Sequence, residues 1–184
     1  MQLEELCDEK LVARVAQGDH EAFRALVVRH RESVFGIAFR YLGNRSDAEE
    51  MAQETFVRLF EAAHRYRFEA KFRTYLLTIT VRLCLNRRAR RDRREEAYDP
   101  GSPVFSRLPS VAPNPEDAVV RDERRLAISE AVLSLPEDQR LALILFYFEE
   151  LPYQTIAKMM GKPIPAVTSL LWRARERLRR DLKE

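Results

Sequence analysis

Apolar side chains recur at the spacing of an α-helix through the first half of the chain. The first stripe predicts a long amphipathic helix that ends at Gly43 and Asn44, residues suited to a left-handed cap. Ser46, followed three residues later by Glu49, predicts a capping box that opens a second helix running to about His64. The first stripe consists of Phe23, Leu26, Val27, Val34, Ile37, Ala38 and Tyr41.

The second and third helices carry stripes of the same kind. The third helix is predicted from about Ala70 to Arg91. No segment alternates apolar and polar residues over the length of a strand, so the sequence predicts an all-α fold. The second stripe is Ala48, Met51, Ala52, Thr55, Phe56 and Leu59, and the third is Phe72, Tyr75, Leu76, Ile79 and Leu83.

The helical pattern stops between Glu96 and Asp117. Five of the nine prolines fall in this stretch together with Gly101 and three serines, a composition that suits neither a helix nor a central strand. We therefore predict two small helical domains, at residues 1–95 and 118–184, joined by an extended Pro-rich linker at residues 96–117.

The second domain is predicted to begin with two helices. The first runs from about Val119 to Leu133, and a break at Pro136 separates it from the next. The apolar face of that next helix is expected to hold Leu141, Leu145 and Phe148.

The spacing of a helix-turn-helix follows. A short helix is predicted from Tyr153 to Met160, with a turn at Gly161 and a final helix in which Pro165 takes the first position. The small residue Ala157, four residues before the glycine, permits the close helix crossing of this motif. The final helix repeats an apolar stripe at Val167, Leu171, Ala174 and Leu178.

Charge divides the chain more sharply than its formal net charge of +3 indicates. Residues 1–62 carry 8 basic and 12 acidic side chains, whereas residues 63–95 carry 11 basic and 3 acidic ones. A basic segment of this density favours a polyanionic partner. A second basic group lies near the carboxyl end and consists of Arg173, Arg175, Arg177, Arg179 and Arg180.

The two basic segments favour DNA in two different states. Outward residues in the first half of the last helix are of types that read base edges in a major groove: Thr168, Ser169, Trp172 and Arg173. Between the second and third helices, rings alternate with cations, which suits stacking on unpaired bases. Tyr66 and Phe68 lie between helices there, whereas Phe72 and Tyr75 also fall on the apolar stripe, where core packing is the commoner role.

Composition and motif content argue against several other classes of protein. His20, His30 and His64 are scattered, and the sequence has neither a glycine-rich phosphate loop nor an HExxH motif, so we expect no catalysis, metal or cofactor. Cys7 and Cys84 are too few for a disulfide framework and too far apart for a CxxC pair. The sequence contains no bilayer-length apolar run and its first residues are acidic, so we expect a cytoplasmic protein without membrane insertion.

Four runs of the sequence resemble the extracytoplasmic-function sigma factors of bacterial RNA polymerase. They are DAEEMAQETFVRLF (47–60), FEAKFRTYLLTI (68–79), SLPEDQRLALILFYFEELPYQTIAKMMG (134–161) and VTSLLWRARERLRR (167–180). The resemblance implies that the first domain binds core RNA polymerase and helps to melt the −10 promoter element, and that the second binds the −35 element. It also implies a partner, an anti-sigma factor, that holds the protein inactive.

Site residues follow from the resemblance position by position. The helix presented to the clamp of core polymerase would contribute Asp47, Glu50, Gln53 and Glu54. An acidic face on a DNA-binding domain suits a protein partner, because it repels phosphates. The residues implied at the unwound −10 element are Tyr66, Phe68, Lys71, Phe72, Tyr75, Arg82, Asn86 and Arg90, and those at the −35 duplex are Thr168, Ser169, Trp172 and Arg173.

Several positions depart from the usual family pattern. They are Tyr75 for tryptophan, Arg82 and Asn86 for asparagine and aspartate, Lys162 for an apolar turn residue, and Thr168 and Leu170 for basic residues. The last two remove candidate guanine or phosphate contacts, and the altered third helix leaves the −10 preference equally open. A promoter consensus therefore does not transfer to this chain.

A simpler alternative is a helix-turn-helix regulator that binds duplex DNA without polymerase. Its first domain would serve sensing or dimerisation. That hypothesis explains only the second domain, because the aromatic and arginine-rich segment at residues 64–94 and the acidic helix before it have no role in it.

Overall fold

The computed structural model describes residues 6–67, 71–95 and 127–182, and every regular element within those ranges is a helix. The predicted all-α fold class is confirmed. The chain divides into two compact units, Met1–Gly101 and Ser102–Glu184. The predicted linker lies outside the described residues, so the domain boundaries at 95 and 118 remain predictions. Within the described ranges, no helix has both the length and the apolar character needed to cross a membrane.

The described part of the first unit is a bundle built around its second helix. Its helices are α1 (Asp8–Val15), α2 (His20–Leu42), α3 (Arg45–Ala62) and α4 (Phe72–Glu95), with a 3₁₀ turn at Ala63–Arg65 after α3. Helix α2 packs against α1, α3 and α4, and α3 also packs against α4. Their stripes meet in a core that includes Leu11, Leu26, Leu59, Phe72 and Leu76, all fully buried.

The junction between α2 and α3 corrects one detail of the sequence prediction. Gly43 ends α2 in the left-handed conformation, at φ 71°, as predicted. The residue that caps α3 is Asn44, whose side-chain oxygen accepts a hydrogen bond from the Asp47 backbone N–H at 3.0 Å. Ser46 already lies inside the first turn of α3, so the predicted capping box is wrong, because Asn44 occupies the position where the cap forms.

The second unit is described from residue 127. Residues 127–133 form the helical segment α5, α6 spans Glu137–Leu143, α7 spans Tyr153–Met160 and α8 spans Ile164–Asp181. The buried residues that join these helices include Val132, Leu135, Leu143 and Ala174, against which Leu178 packs.

Helix α6 continues as a π-helical turn, Ile144–Phe148. The backbone N–H of Glu149 bonds to the carbonyl of Ile144 at 3.3 Å, five residues back. Leu141 and Leu145 are buried as predicted, but Phe148 is 41% exposed. A π-turn rotates the chain less per residue than an α-turn, so it moves Phe148 off the apolar face that ordinary helical periodicity predicts.

The α7–α8 pair has the predicted helix-turn-helix arrangement. Gly161 adopts φ 62° after α7, and the next backbone N–H, of Lys162, bonds to the Ala157 carbonyl at 3.0 Å, which closes the helix with a Schellman-type cap. Pro165 is the second residue of α8. The buried residues of α7 are Ile156, Ala157 and Met159.

The Asn44 cap yields a direct test. Replacing Asn44 with Ala should speed hydrogen exchange of the first-turn amides of α3 about fivefold, since an N-cap contributes about 1 kcal/mol. Exchange mass spectrometry of the full chain measures this on peptides that cover α3. The matched variant Ser46→Ala should leave the exchange unchanged, and faster exchange in that variant would restore Ser46 as the cap.

Candidate functional site

The α3 residues predicted to meet polymerase share one side of the first unit. Glu50 and Gln53 are exposed, and Asp47 and Glu54 are half-buried. The carboxylate of Glu54 pairs with Arg58 one turn further along α3, at 2.7 Å. The face is therefore polar, and the charge of Glu54 is balanced within α3 itself.

Arg87 on α4 forms ion pairs with the other two carboxylates of this face, Asp47 and Glu50. Its guanidinium Nε donates to Asp47 Oδ1 at 3.1 Å, and its terminal nitrogens lie 3.0 and 2.9 Å from the two carboxylate oxygens of Glu50. The hydrogen bond to Asp47 is the main cause that raises the pKa of Arg87 above its ordinary value. This bridge fixes two of the four predicted docking residues and ties α3 to α4.

A groove of about 420 Å³ runs between α3 and α4 beside this bridge. It brings together residues that the sequence analysis assigned to two different partners. Asn86 and Arg90 of the predicted −10 set lie on its α4 side, across from the predicted polymerase set. The full lining is Glu50, Met51, Gln53, Glu54, Val57, Arg58, Leu83, Asn86, Arg87 and Arg90.

The aromatic residues before and at the start of α4 form a cluster. The ring centroid of Tyr66 lies 5.9 Å from that of Phe72 and 5.1 Å from that of Tyr75. Tyr66 and Tyr75 are half-buried and Lys71 is exposed, whereas Phe68 lies outside the described residues. The cluster joins the inter-helix segment to the core and leaves parts of two tyrosine rings at the surface.

The prediction that Phe72 contacts a base needs correction. Its side chain is fully buried, between the core helices and Tyr66. A ring without accessible surface has no face on which a base can stack. In this conformation Phe72 therefore packs against Tyr66 from the core side. This is the packing role that its position on the apolar stripe favours.

The remaining predicted −10 residues extend along α4 from this cluster. Arg82, Asn86 and Arg90 are exposed and follow one another at intervals of four residues. With Tyr75 seven residues before Arg82, they form one helical stripe about 22 Å long. A stripe of this length and charge is suited to several successive phosphates of one strand.

The predicted −35 residues project from the first half of α8. Thr168, Ser169, Trp172 and Arg173 are all exposed, and Trp172 is 58% accessible. The two hydroxyls donate to carbonyls one turn back in α8, at 3.1 Å to Ile164 and 3.0 Å to Pro165. Their oxygens retain lone pairs that can accept hydrogen bonds from outside.

A shallow groove of about 460 Å³ continues from these residues toward the end of α8. Arg177 and Arg180 lie along it, so they share a surface with Trp172 and Arg173. Arg179 instead pairs with Glu176 at 3.1 Å. The arginines of this helix therefore differ in surroundings, although their sequence pattern does not distinguish them.

The structure explains two of the departures from the family pattern that lie in the second unit. Leu170 is 7% exposed, so its apolar side chain belongs to the core and its lack of charge removes no surface contact. The ammonium of Lys162 pairs with Asp138 at the start of α6, at 2.9 Å, and thereby fastens the turn of the helix-turn-helix.

Sequence reasoning missed Arg87 as a structural residue and missed the contacts that α1 makes with α4. Arg87 lies in a run of arginines, and its partners come 37 and 40 residues earlier on another helix. No local spacing signals such a pair. Glu9 of α1, which hydrogen-bonds to the start of α4, is separated from its partner by 63 residues.

Comparison with known proteins matches both units. The family model of Sigma-70 region 2 covers residues 26–94, and that of Sigma-70 region 4 covers residues 125–178. Relatives that match over nearly the whole chain are named ECF (extracytoplasmic-function) RNA polymerase sigma factors. The chain belongs to this family. As such it is a promoter-specificity subunit for RNA polymerase in transcription initiation.

Curated relatives match along nearly their whole length. The chain is 32% identical to the RNA polymerase sigma-H factor of Pseudomonas aeruginosa, over 96% of this chain and 94% of that protein. It is 30% identical to the sigma factor SigW of Bacillus subtilis, over 98% and 99%. It is 33% identical to the sigma-E factor of Escherichia coli K12, over 94% and 93%.

Two solved structures share the fold. CnrH, in a complex with the cytosolic domain of CnrY, has a TM-score of 0.66 at 23% identity, covering 96% of this chain and 97% of CnrH. The sigma factor RpoE of Bartonella quintana, in a complex with the anti-sigma factor NepR, has a TM-score of 0.74 at 20% identity, covering 88% of this chain and 96% of RpoE.

The Arg87 bridge yields a second test. Arg87→Gln should lower the free energy of unfolding of the first unit by about 1 kcal/mol, because it leaves the half-buried Asp47 carboxylate without its cation. Urea unfolding followed by circular dichroism measures the change. The single tryptophan lies in the second unit, so its fluorescence transition should not move.

The control for this test is Arg90, which is exposed on the same helix. Arg90→Gln removes an equal charge and should change the unfolding free energy by less than about 0.5 kcal/mol. Equal losses in the two variants would show that Arg87 contributes only its overall charge and not the bridge.

Proposed function

We propose that the first unit binds core polymerase through α3 and the unwound −10 element through the segment before α4 and through α4 itself, while α8 binds the −35 duplex. The observation that carries this division is the sorting of exposed groups within the first unit. The predicted docking positions of α3 carry three carboxylates and an amide, whereas two tyrosines, two arginines and an asparagine lie just before and along α4. Protein and nucleic acid require these opposite chemistries.

The proposed polymerase surface consists of Asp47, Glu50, Gln53 and Glu54. Arg87 and Arg58 hold three of these four side chains through ion pairs. Side chains fixed before docking lose less conformational entropy when a basic partner binds. Gln53 is exposed between them and adds both a donor and an acceptor.

The proposed −10 surface is the exposed edge of the aromatic cluster and the α4 stripe. Tyr66 and Tyr75 offer rings to unstacked bases, and stacking of this kind contributes about 1–3 kcal/mol per base. Phe68 and Lys71 complete the segment in our proposal, and Arg82, Asn86 and Arg90 contact the backbone of the captured strand. This arrangement favours the open strand and so helps to melt the duplex.

The proposed −35 surface combines different types of recognition. Arg173 suits a guanine edge or a phosphate, Ser169 and Thr168 suit hydrogen bonds with base edges, and the exposed indole of Trp172 suits apolar contact in the groove. These groups occupy the first half of α8, the part of a recognition helix that enters the major groove.

Regulation by an anti-sigma factor belongs to the same proposal. The CnrH and RpoE structures compared above are complexes, one with the cytosolic domain of CnrY and one with the anti-sigma factor NepR. By analogy, such a partner would cover the polymerase-binding and promoter-binding surfaces of this chain. We propose that the protein acts in the cytoplasm, where RNA polymerase is, and that its role requires neither catalysis nor a cofactor.

Reconstitution tests the proposed function. The full chain should co-migrate with core RNA polymerase on gel filtration, and the complex should open a bubble on promoters selected from genomic fragments, detected by permanganate reactivity of unpaired thymines. Active core that neither binds the protein nor opens DNA with it, alongside tight binding of the protein alone to duplex DNA, would favour the simple regulator instead.

The recognition helix allows a matched comparison. Arg173→Gln should weaken binding of the holoenzyme to −35 duplex about tenfold, because a specific contact of this kind contributes about 1–3 kcal/mol. Arg179→Gln removes the same charge from the last turn of α8 and should weaken binding less than about twofold. Fluorescence anisotropy at one fixed salt concentration measures both. Equal losses would contradict a base-reading role for Arg173.

A further inference from the structure

Helix α1 makes contacts that the matched family region does not include. That region begins at residue 26, whereas α1 spans Asp8–Val15. The carboxylate oxygen Oε1 of Glu9 accepts a hydrogen bond from the backbone N–H of Phe72 at 3.3 Å. Phe72 is the first residue of α4, where backbone N–H groups have no partner within the helix. Glu9 therefore caps α4 from a distant part of the chain.

Asp8, the neighbour of Glu9, contacts the imidazole that packs against Phe72. Its Oδ2 lies 2.8 Å from Nε2 of His30, and its Oδ1 lies 3.0 Å from the guanidinium of Arg29. The imidazole of His30 is in turn 5.4 Å from the ring of Phe72, centroid to centroid. Asp8 thus orients the imidazole that packs against Phe72.

These contacts continue to the aromatic cluster. Phe72 meets Tyr66 edge to face, and Tyr66 meets Tyr75. Burial chiefly raises the pKa of Tyr66, and the negative charges of Glu9 and Asp8 raise it further. Two acidic residues of α1 are therefore connected to the rings through Phe72.

We infer that α1 is a positioning element for capture of the unwound strand: Glu9 caps α4 and Asp8 orients His30, so that Phe72 holds Tyr66 and Tyr75 in the geometry that receives a base. The inference rests on the proposed role of these tyrosines at the −10 element. Rings held in position before binding lose less conformational entropy when the strand arrives. Neither acidic residue needs to touch DNA.

The docking of α1 itself does not depend on Glu9 or Asp8. Leu11, Val12 and Val15 are almost completely buried against the core and hold the helix in place. The hydrophobic contribution of three such side chains exceeds that of one hydrogen bond several times. Removing the Glu9 carboxylate should therefore release the start of α4 while α1 stays packed.

The test compares two substitutions at one position in the full chain bound to core polymerase. Glu9→Ala removes the acceptor, whereas Glu9→Gln keeps a carbonyl oxygen at the same reach. The probe is a fluorescein-labelled single strand with the non-template −10 sequence of a promoter that the wild-type holoenzyme opens. Its dissociation constant should rise about fivefold with Glu9→Ala and stay within about twofold of wild type with Glu9→Gln.

Two further measurements separate positioning from general damage. Affinity for core polymerase and for −35 duplex should be the same in all variants. Asp8→Ala should weaken strand binding in the same direction as Glu9→Ala. The charge control is Glu21→Ala, which removes an exposed carboxylate whose cationic neighbour is Arg24 at 3.9 Å on α2, and it should leave strand binding unchanged.

The outcomes are distinct. If Glu9→Ala binds the strand as well as wild type, or if Glu9→Gln loses as much affinity as Glu9→Ala, the positioning role of α1 is wrong while the proposed function stands. If the wild-type holoenzyme opens no promoter, the proposed function fails, and the inference fails with it.

Discussion

The buried ring of Phe72 connects the stability of the first unit with the surface proposed to bind DNA. The ring has no accessible surface, and it contacts His30 on α2 and Tyr66 on the segment before α4. A side chain of this size contributes several kcal/mol through burial, so its position is set by the core and not by a ligand. Tyr66 packs against this fixed ring. The tyrosine is therefore mobile only to the extent that the core permits, and strand capture can rely on a surface formed before DNA arrives.

Electrostatics imposes a second constraint, because the same unit carries an acidic helix and a densely basic one. Arg87 resolves the conflict at the point where α3 and α4 meet, by pairing with both Asp47 and Glu50. Without that pairing, the half-buried Asp47 would be desolvated without compensation. The bridge also fixes the orientation of the proposed polymerase surface relative to the α4 stripe. In the proposed function the two surfaces act in one complex, so a fixed relative orientation suits both.

Sequence reasoning predicted what depends on local periodicity and failed where distant residues meet. The stripes of α2, α3 and α8 predict helices because burial of one face repeats every few residues, and Gly43 and Gly161 mark turns because they adopt positive φ. The predicted burial of Phe148 was wrong because a π-turn changes the rotation per residue, and the residue types do not reveal a π-turn. The roles of Arg87, Lys162 and Glu9 depend on partners on other helices, so they follow from the fold and not from spacing. The side chains projecting from α8 were predictable because exposure follows from the buried stripe on the opposite face.

The two departures on α8 differ in meaning, although the sequence presents them as a pair. Leu170 faces the core, where a basic side chain would bring an unpaired charge among apolar neighbours. Thr168 is exposed, and its hydroxyl donates to the Ile164 carbonyl, so it offers a partner its methyl group and the lone pairs of its oxygen. Among residues 164–173, Arg173 is the one basic residue, and so the one guanidinium for a bidentate guanine contact in the first half of α8. Recognition there must depend more on hydroxyls, on apolar contact through Trp172 and on the shape of the duplex. The promoter preference of this sigma factor therefore depends on Thr168 as the one surface departure of the pair, with Arg173 keeping its charge beside it.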